Sequence, residues 1–88
     1  RLKFLRVLNL ANNSLVDLDI CLETLKKLEF LRDLDLRGNP AAQEIGYRGR
    51  VIAALPWLET LDKVPVRGEE RDAAIKANRR KRTRVPAS

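Results

Sequence analysis

The chain has 88 residues, room for one small domain or a piece of a longer one, and its 18 Lys/Arg against 12 Asp/Glu give a net charge of +6. Hydrophobic residues make up 44% and charged residues 34%, the profile of a folded chain rather than a disordered one. His is absent and Cys21 is alone, which excludes His-dependent triads, Cys/His zinc sites and an internal disulfide.

Fifteen residues are Leu, and most fall on a fixed grid. The first register reads Leu2-x-x-Leu5-x-x-Leu8-x-Leu10-x-x-Asn13-x-Leu15-x-x-Leu18. The second, 26 residues further on, reads Leu28-x-x-Leu31-x-x-Leu34-x-Leu36-x-x-Asn39. A partial third register holds Leu55, Leu58 and Leu61-Asp62.

In chain order, Leu8-x-Leu10 predicts a short strand whose two Leu share one face while Asn9 points the other way. Asn13 follows where the chain turns out, a place for a buried amide that satisfies loop N–H and C=O groups. Asp19 is the expected N-cap of a helix over about residues 20–29, with Leu22, Leu25 and Leu28 at helical spacing and Cys21 half-buried among them. Leu34-x-Leu36 predicts the next strand, with Asp35 outward, Gly38 in a turn and Asn39 in the role of Asn13. Pro40 stops that loop. A helix of about residues 43–54 is then expected to turn Ile45, Val51, Ile52 and Leu55 inward, and Pro56 ends it. Trp57 is assigned to packing, and Lys63 stands where a second strand Leu would be, as the core gives way to polar cover.

Residues 67–88 carry most of the net charge. Residues 1–66 hold ten Lys/Arg and nine Asp/Glu, whereas residues 67–88 hold eight and three. Glu69, Glu70 and Asp72 come early and the bases later, which suits a helix dipole, and Asp72 and Lys76 form an i,i+4 pair. Ile75 is the only large apolar residue of the tail before Val85, so this segment is expected to leave the folded part.

The Leu grid resembles the leucine-rich repeat, whose period is about 20–29 residues. Gly38-Asn39-Pro40, Tyr47-Arg48, Val51-Ile52, Leu55-Pro56, Leu58, Leu61-Asp62 and Val66 follow in order and resemble the C-terminal cap of intracellular leucine-rich repeat proteins. Such caps occur in the protein phosphatase-1 regulatory subunit type, the spliceosomal A-prime type, and many axonemal and cilium-assembly proteins. The resemblance covers about residues 1–66. It implies an α/β solenoid with short parallel strands on the concave side, helices on the convex side, and a cap over about residues 40–66. Residues 67–88 then form a basic tail, helical or disordered. The register begins mid-pattern at Arg1-Leu2, so further repeats before Arg1, or a partner over the first strand's edge, are expected.

By repeat register the outward concave positions align in rows: Arg6, Arg32 and Glu59; Val7, Asp33 and Thr60; Asn9, Asp35 and Asp62; with Ala11, Arg37 and Val64 extending the strands. Asp33, Asp35 and Asp62 would make an acidic centre suited to a basic or amphipathic segment of a partner. The candidate partner-binding residues are therefore Arg6, Asn9, Arg32, Asp33, Asp35, Arg37, Glu59 and Asp62; the same charges also suit a plain solvated sheet face. In the tail, Lys76, Arg79, Arg80, Lys81, Arg82 and Arg84 put six bases in nine positions. That run suits an acidic filament surface such as tubulin, an RNA or nuclear import, or simply a solvated helix. No aromatics are interleaved, so base stacking has no support.

Flanking Asp residues on open strands, with no phosphate-cradling Gly loop, make no catalytic, metal or cofactor site. With no run of about 18 uncharged apolar residues there is no membrane span in these residues. The chain reads as a non-catalytic protein–protein scaffold without a cofactor, and a lone Cys suits a reducing compartment. The cap resemblance implies a component or assembly factor of a ciliary or flagellar axonemal complex, in the cytoplasm and axoneme. The alternatives it leaves are a nuclear, spliceosomal-type ribonucleoprotein subunit and a phosphatase regulatory subunit.

Overall fold

The computed structural model describes the backbone of residues 4–84 and the side chains of residues 4–78. Strand β1 (Val7–Asn9) leads into helix α1 (Leu18–Leu25), strand β2 (Asp33–Asp35), a 3-10 turn (Pro40–Gln43) and helix α2 (Tyr47–Ala54). Two short strands follow, β3 (Thr60–Leu61) and β4 (Val64–Pro65), and then helix α3 (Gly68–Arg84). The described strands form one sheet in the order β1-β2-β3-β4. β1 and β2 are parallel with Val7, Leu8 and Asn9 opposite Asp33, Leu34 and Asp35; β2 and β3 are parallel with Asp33 and Leu34 opposite Thr60 and Leu61. The strand pairs thus reproduce the register of the Leu grid.

That register is fixed by burial. Leu34 and Leu61 of the shared row are fully buried, and Leu31, Leu36, Leu55 and Leu58 join them. A one-residue slip would turn this whole set to solvent, at roughly 1.5–3 kcal/mol per large side chain. From the helix side, Leu18, Leu22 and Leu25 of α1 and Val51 and Ile52 of α2 close over the sheet. The core is therefore aliphatic, set between the strands and the helices.

Asn39 ties the two repeats together from inside. It is 2% exposed, and its Oδ1 accepts from the backbone N–H of Asn13 (2.8 Å) and Leu15 (2.9 Å). Its Nδ2 donates to the carbonyls of Leu10 (2.9 Å) and Leu36 (2.8 Å). Asn13, expected in the same buried role, is exposed and makes only a local bond to the Ala11 carbonyl, because no further repeat is stacked on it among the described residues. Gly38 sits at φ +78°, and a Cβ there would lie 2.0 Å from Asn12 Oδ1. Glycine suits that turn, since any other residue would be strained at this φ and would push the Asn12 side chain aside.

Several expected boundaries move. The N-cap of α1 is Asp17, in an extended conformation with Oδ1 accepting from Ile20 N–H, not Asp19. The helix starts two residues early because Leu18 is fully buried and belongs to its inward stripe. It also ends at Leu25 rather than residue 29. Successive tight turns from Leu25 to Leu28 and Leu28 to Leu31 then return the chain to the sheet. The expected helix over 43–54 is broken at Gly46, which adopts φ +73° and begins α2 one residue later. Ile45 falls in that break and is 97% exposed instead of inward; Ala41, in the 3-10 turn, takes the buried place.

The cap departs most from the rows. Asp62 (φ 54°) and Lys63 (φ 69°) form a two-residue turn, and β4 pairs antiparallel with β3, Leu61 opposite Val64. Two consecutive left-handed residues are what a tight hairpin needs. Val64 consequently does not extend a row with Ala11 and Arg37. Nor does the chain leave the folded part after Pro65. The first half of α3 packs on α2, with Ala74 against the core.

Candidate protein-binding faces

The outward side of the strands is the expected groove, and its charges are less free than the sequence suggested. Asp35 is 2% exposed. Its Oδ1 accepts from Arg37 N–H (3.1 Å) and Arg37 Nε (3.0 Å), and its Oδ2 from the second guanidinium nitrogen (2.8 Å). These bonds hold the Asp35 carboxyl below the usual carboxylate range, against the opposing effect of burial. Asp62 Oδ1 accepts from Leu36 N–H (2.8 Å), and its Oδ2 from the Tyr47 hydroxyl (2.8 Å). Burial, reinforced by that bond, pushes the Tyr47 phenol far up. Asp35 and Asp62 are thus spent on the fold, and the expected acidic centre reduces to Asp33.

What remains open is a mixed surface. Arg6 is exposed, and its carbonyl accepts from the N–H of Arg32 (2.8 Å) and Asp33 (3.0 Å) as the strands begin. Arg32 donates to the Glu29 and Leu31 carbonyls and stands 4.0 Å from Glu59, which is exposed. So long a pair, with Arg32 half-buried and Glu59 exposed, contributes at most about 1 kcal/mol and leaves the Glu59 carboxylate open to a partner. Asn9 is exposed, its Oδ1 accepting from Ala11 N–H; Arg37 is exposed above Asp35. Among these sits Val7, 62% exposed, an apolar spot that a search for charged candidates passes over. The strand-row alternation carried the signal for it.

Arg48, named from sequence only as part of the cap resemblance, organises the cap. Its guanidinium donates to both Glu70 carboxylate oxygens and to the carbonyls of Leu61, Val64 and Pro65. One side chain therefore joins α2, the β3–β4 hairpin and α3. Those hydrogen bonds hold the Glu70 carboxyl below its usual range, again against burial. Arg71 adds a bond to the Leu58 carbonyl (2.6 Å). On the other flank, Glu44 accepts from Leu18 N–H and Arg50, and Arg50 also pairs with Asp19, so the start of α1 is tied to α2. For α3, the Arg48–Glu70 and Arg71 bonds act together with Ala74 packed on the core.

Of the basic run, Lys76 is exposed on α3. The α3 backbone continues through Arg84, but the side chains of Arg79, Arg80, Lys81, Arg82 and Arg84 lie outside the described residues. Cys21 is half-buried, and burial, then Asp17 and Glu44, pushes its thiol up, which keeps it protonated and unreactive. Among the described residues no group of three or more His, Cys, Asp or Glu is placed to hold a metal ion, and no helix is long and apolar enough to cross a membrane.

The same fold recurs in a chain of the Drosophila melanogaster SNF/U2A' complex, with a TM-score of 0.77 at 29% identity over 82% of this chain and 41% of that one. A Xenopus tropicalis leucine-rich repeat-containing protein 23 is 40% identical over 78 residues, 89% of this chain and 22% of that protein. The chain is a leucine-rich repeat protein. Dynein axonemal assembly factor 11 of Danio rerio is 43% identical over 63 residues, 72% of this repeat chain and 14% of that protein. This leucine-rich repeat chain spans less than a quarter of the length of these curated relatives. No family model matches it.

Proposed function

We propose that this chain is a non-catalytic protein-binding scaffold that serves the assembly of axonemal dynein, acting in the cytoplasm and at the cilium. The observation that carries the reading is the 43% identity to dynein axonemal assembly factor 11. The geometry agrees with it. The strand face offers Arg6, Val7, Asn9, Arg32, Asp33, Arg37 and Glu59 to a protein partner, while Asp35 and Asp62 act behind them as supports. The partner of such a surface is a segment with both charges and one apolar contact, matched to the interspersed Arg6, Arg32, Asp33 and Glu59. The basic run from Lys76 to Arg84 supplies a separate electrostatic contact for an acidic filament surface such as that of tubulin.

The test uses Asp33→Lys with Glu59→Lys in the full-length protein of a ciliated cell. Neither residue holds the fold together, so protein level should persist while dynein content of isolated axonemes falls severalfold. Unchanged dynein content would remove the strand face from the reading. The structural likeness to the SNF/U2A' complex favours one second reading, a protein-binding subunit of a nuclear ribonucleoprotein. Capture of an RNA-recognition domain by the wild-type chain, with axonemal dynein unaffected, would select it.

A further inference from the structure

On the side away from the strands, α1, α2 and α3 wall a groove of about 960 Å³. A helix about 10 Å across, rising 1.5 Å per residue, fills roughly 120 Å³ per residue, so the groove has the volume of about two helical turns. Two of its apolar side chains have no cover in the fold: Ile20 is 64% exposed and Ile45 97%. Between them the lining is low. A Cβ at Gly46 or Gly49 would meet nothing within 4 Å, so the space there is open to an incoming side chain. Trp57, packed against the core, lines the same groove.

The two long rims differ in charge. On α1, Asp19 is neutralised by Arg50, and Glu23 is offset by Lys26 three residues on. That rim is close to neutral. The opposite wall is α3, through Ala74, Ala77 and Asn78, and it belongs to the helix whose sequence holds Lys76 and the five further bases up to Arg84. Glu69, Glu70 and Asp72 lie toward the start of that helix and its run of bases follows from Lys76 on, so its sequence turns basic along the part beside the groove, a bias that selects a partner of the other sign and sets its orientation.

We propose that this groove and the basic helix beside it dock an acidic amphipathic helix of a partner protein. Its apolar stripe, spaced i, i+3/i+4, seats on Ile20, Ile45 and the Trp57 side of the groove. Its Asp and Glu flank lies along α3. This surface is separate from the strand face and does not depend on the assembly reading.

The test titrates the 88-residue chain with a designed Trp-free helical peptide carrying leucines on one face and glutamates along one flank. Trp57 is the single Trp of the chain, so its emission reports the groove directly. Saturable binding with a blue shift is expected, and Ile45→Glu, which alters a side chain outside the core, should weaken it about tenfold, as for an apolar anchor of an interface. The isomer with lysines in place of the glutamates should bind at least about tenfold more weakly. Asp33→Lys should leave binding unchanged, so this proposal and the strand-face reading fail separately. Four results overturn it: no saturable binding, equal binding of the lysine isomer, undiminished binding by Ile45→Glu, or equal binding of a leucine-free glutamate peptide. The last would leave only a charged arm, as a filament contact requires.

Discussion

Replacing Asn39 by Ala tests how the repeats are joined. The side chain is 2% exposed and makes four hydrogen bonds between 2.8 and 2.9 Å, three of them to residues of the preceding repeat. At about 1 kcal/mol net for each bond, with the abandoned N–H and C=O groups still shielded from water, the loss comes to about 4 kcal/mol. A domain of this size has roughly 4–13 kcal/mol in total, so Asn39→Ala should lie near the edge of folding. In urea, with a slope of about 1–1.5 kcal/mol/M, the midpoint should fall by about 3 M at unchanged slope, read by Trp57 emission and far-UV circular dichroism. Asn39→Asp should be as damaging, because it keeps the acceptor but turns a carboxylate oxygen toward the Leu10 and Leu36 carbonyls. Asn13→Ala, which removes one exposed local bond, should cost no more than about 0.5 kcal/mol. Equal losses at the two Asn positions, or less than about 1 kcal/mol at Asn39, would refute Asn39 as the joint between repeats.

The docking of α3 should depend on pH through Glu70. Its folded pKa lies below the usual value because Arg48 bonds to it, so its contribution is complete above about pH 4.3 and is lost as pH falls through the lower folded value. Amide exchange of residues 68–78, corrected for intrinsic rates, should rise in that window for the wild type; Glu70→Gln should be weaker at neutral pH and flatter below it. A wild-type profile that matches Glu70→Gln would dismiss the Arg48–Glu70 contact. At the other end, Asp17→Ala should destabilise by about 1 kcal/mol through loss of the α1 cap. Asp19→Ala removes only an exposed ion pair and should cost less than about half of that in thermal or urea melts. The reverse ranking would return the cap to Asp19.

Much of the chain was legible because its repeat is one-dimensional. Leu34, Leu36, Leu58 and Leu61 are buried wherever the grid placed them, and Val7, Asp33 and Thr60 line up as the register required. Local alternation and a fixed period carry that information without any knowledge of tertiary contacts. Pro56 likewise follows α2, and Asn39 fills its buried role. The errors have a common origin. Asp17 and Asp19 both suit an N-cap, and only the burial of Leu18 decides between them. Ile45 has an apolar side chain at plausible helical spacing, but Gly46 breaks the helix and leaves it outside.

The candidate site was less legible than the fold. Position in a row was readable for Arg6, Arg32, Asp33 and Glu59, but the availability of a charge was not. Asp35 and Asp62 look like their neighbours in sequence, yet one is closed by Arg37 and the other by Leu36 N–H and Tyr47. By itself, then, the sequence determined the repeat, its register, the aliphatic core and the concentration of charge in the last quarter. Those properties depend on composition and short-range spacing. The tertiary structure alone decided which carboxylates are spent on the fold, that the cap closes with an antiparallel hairpin, and that α3 is held against α2. Most of this depends on partners more than ten residues apart, such as Arg48 for Glu70 or Tyr47 for Asp62, and no local pattern in the chain specifies which pairs will meet.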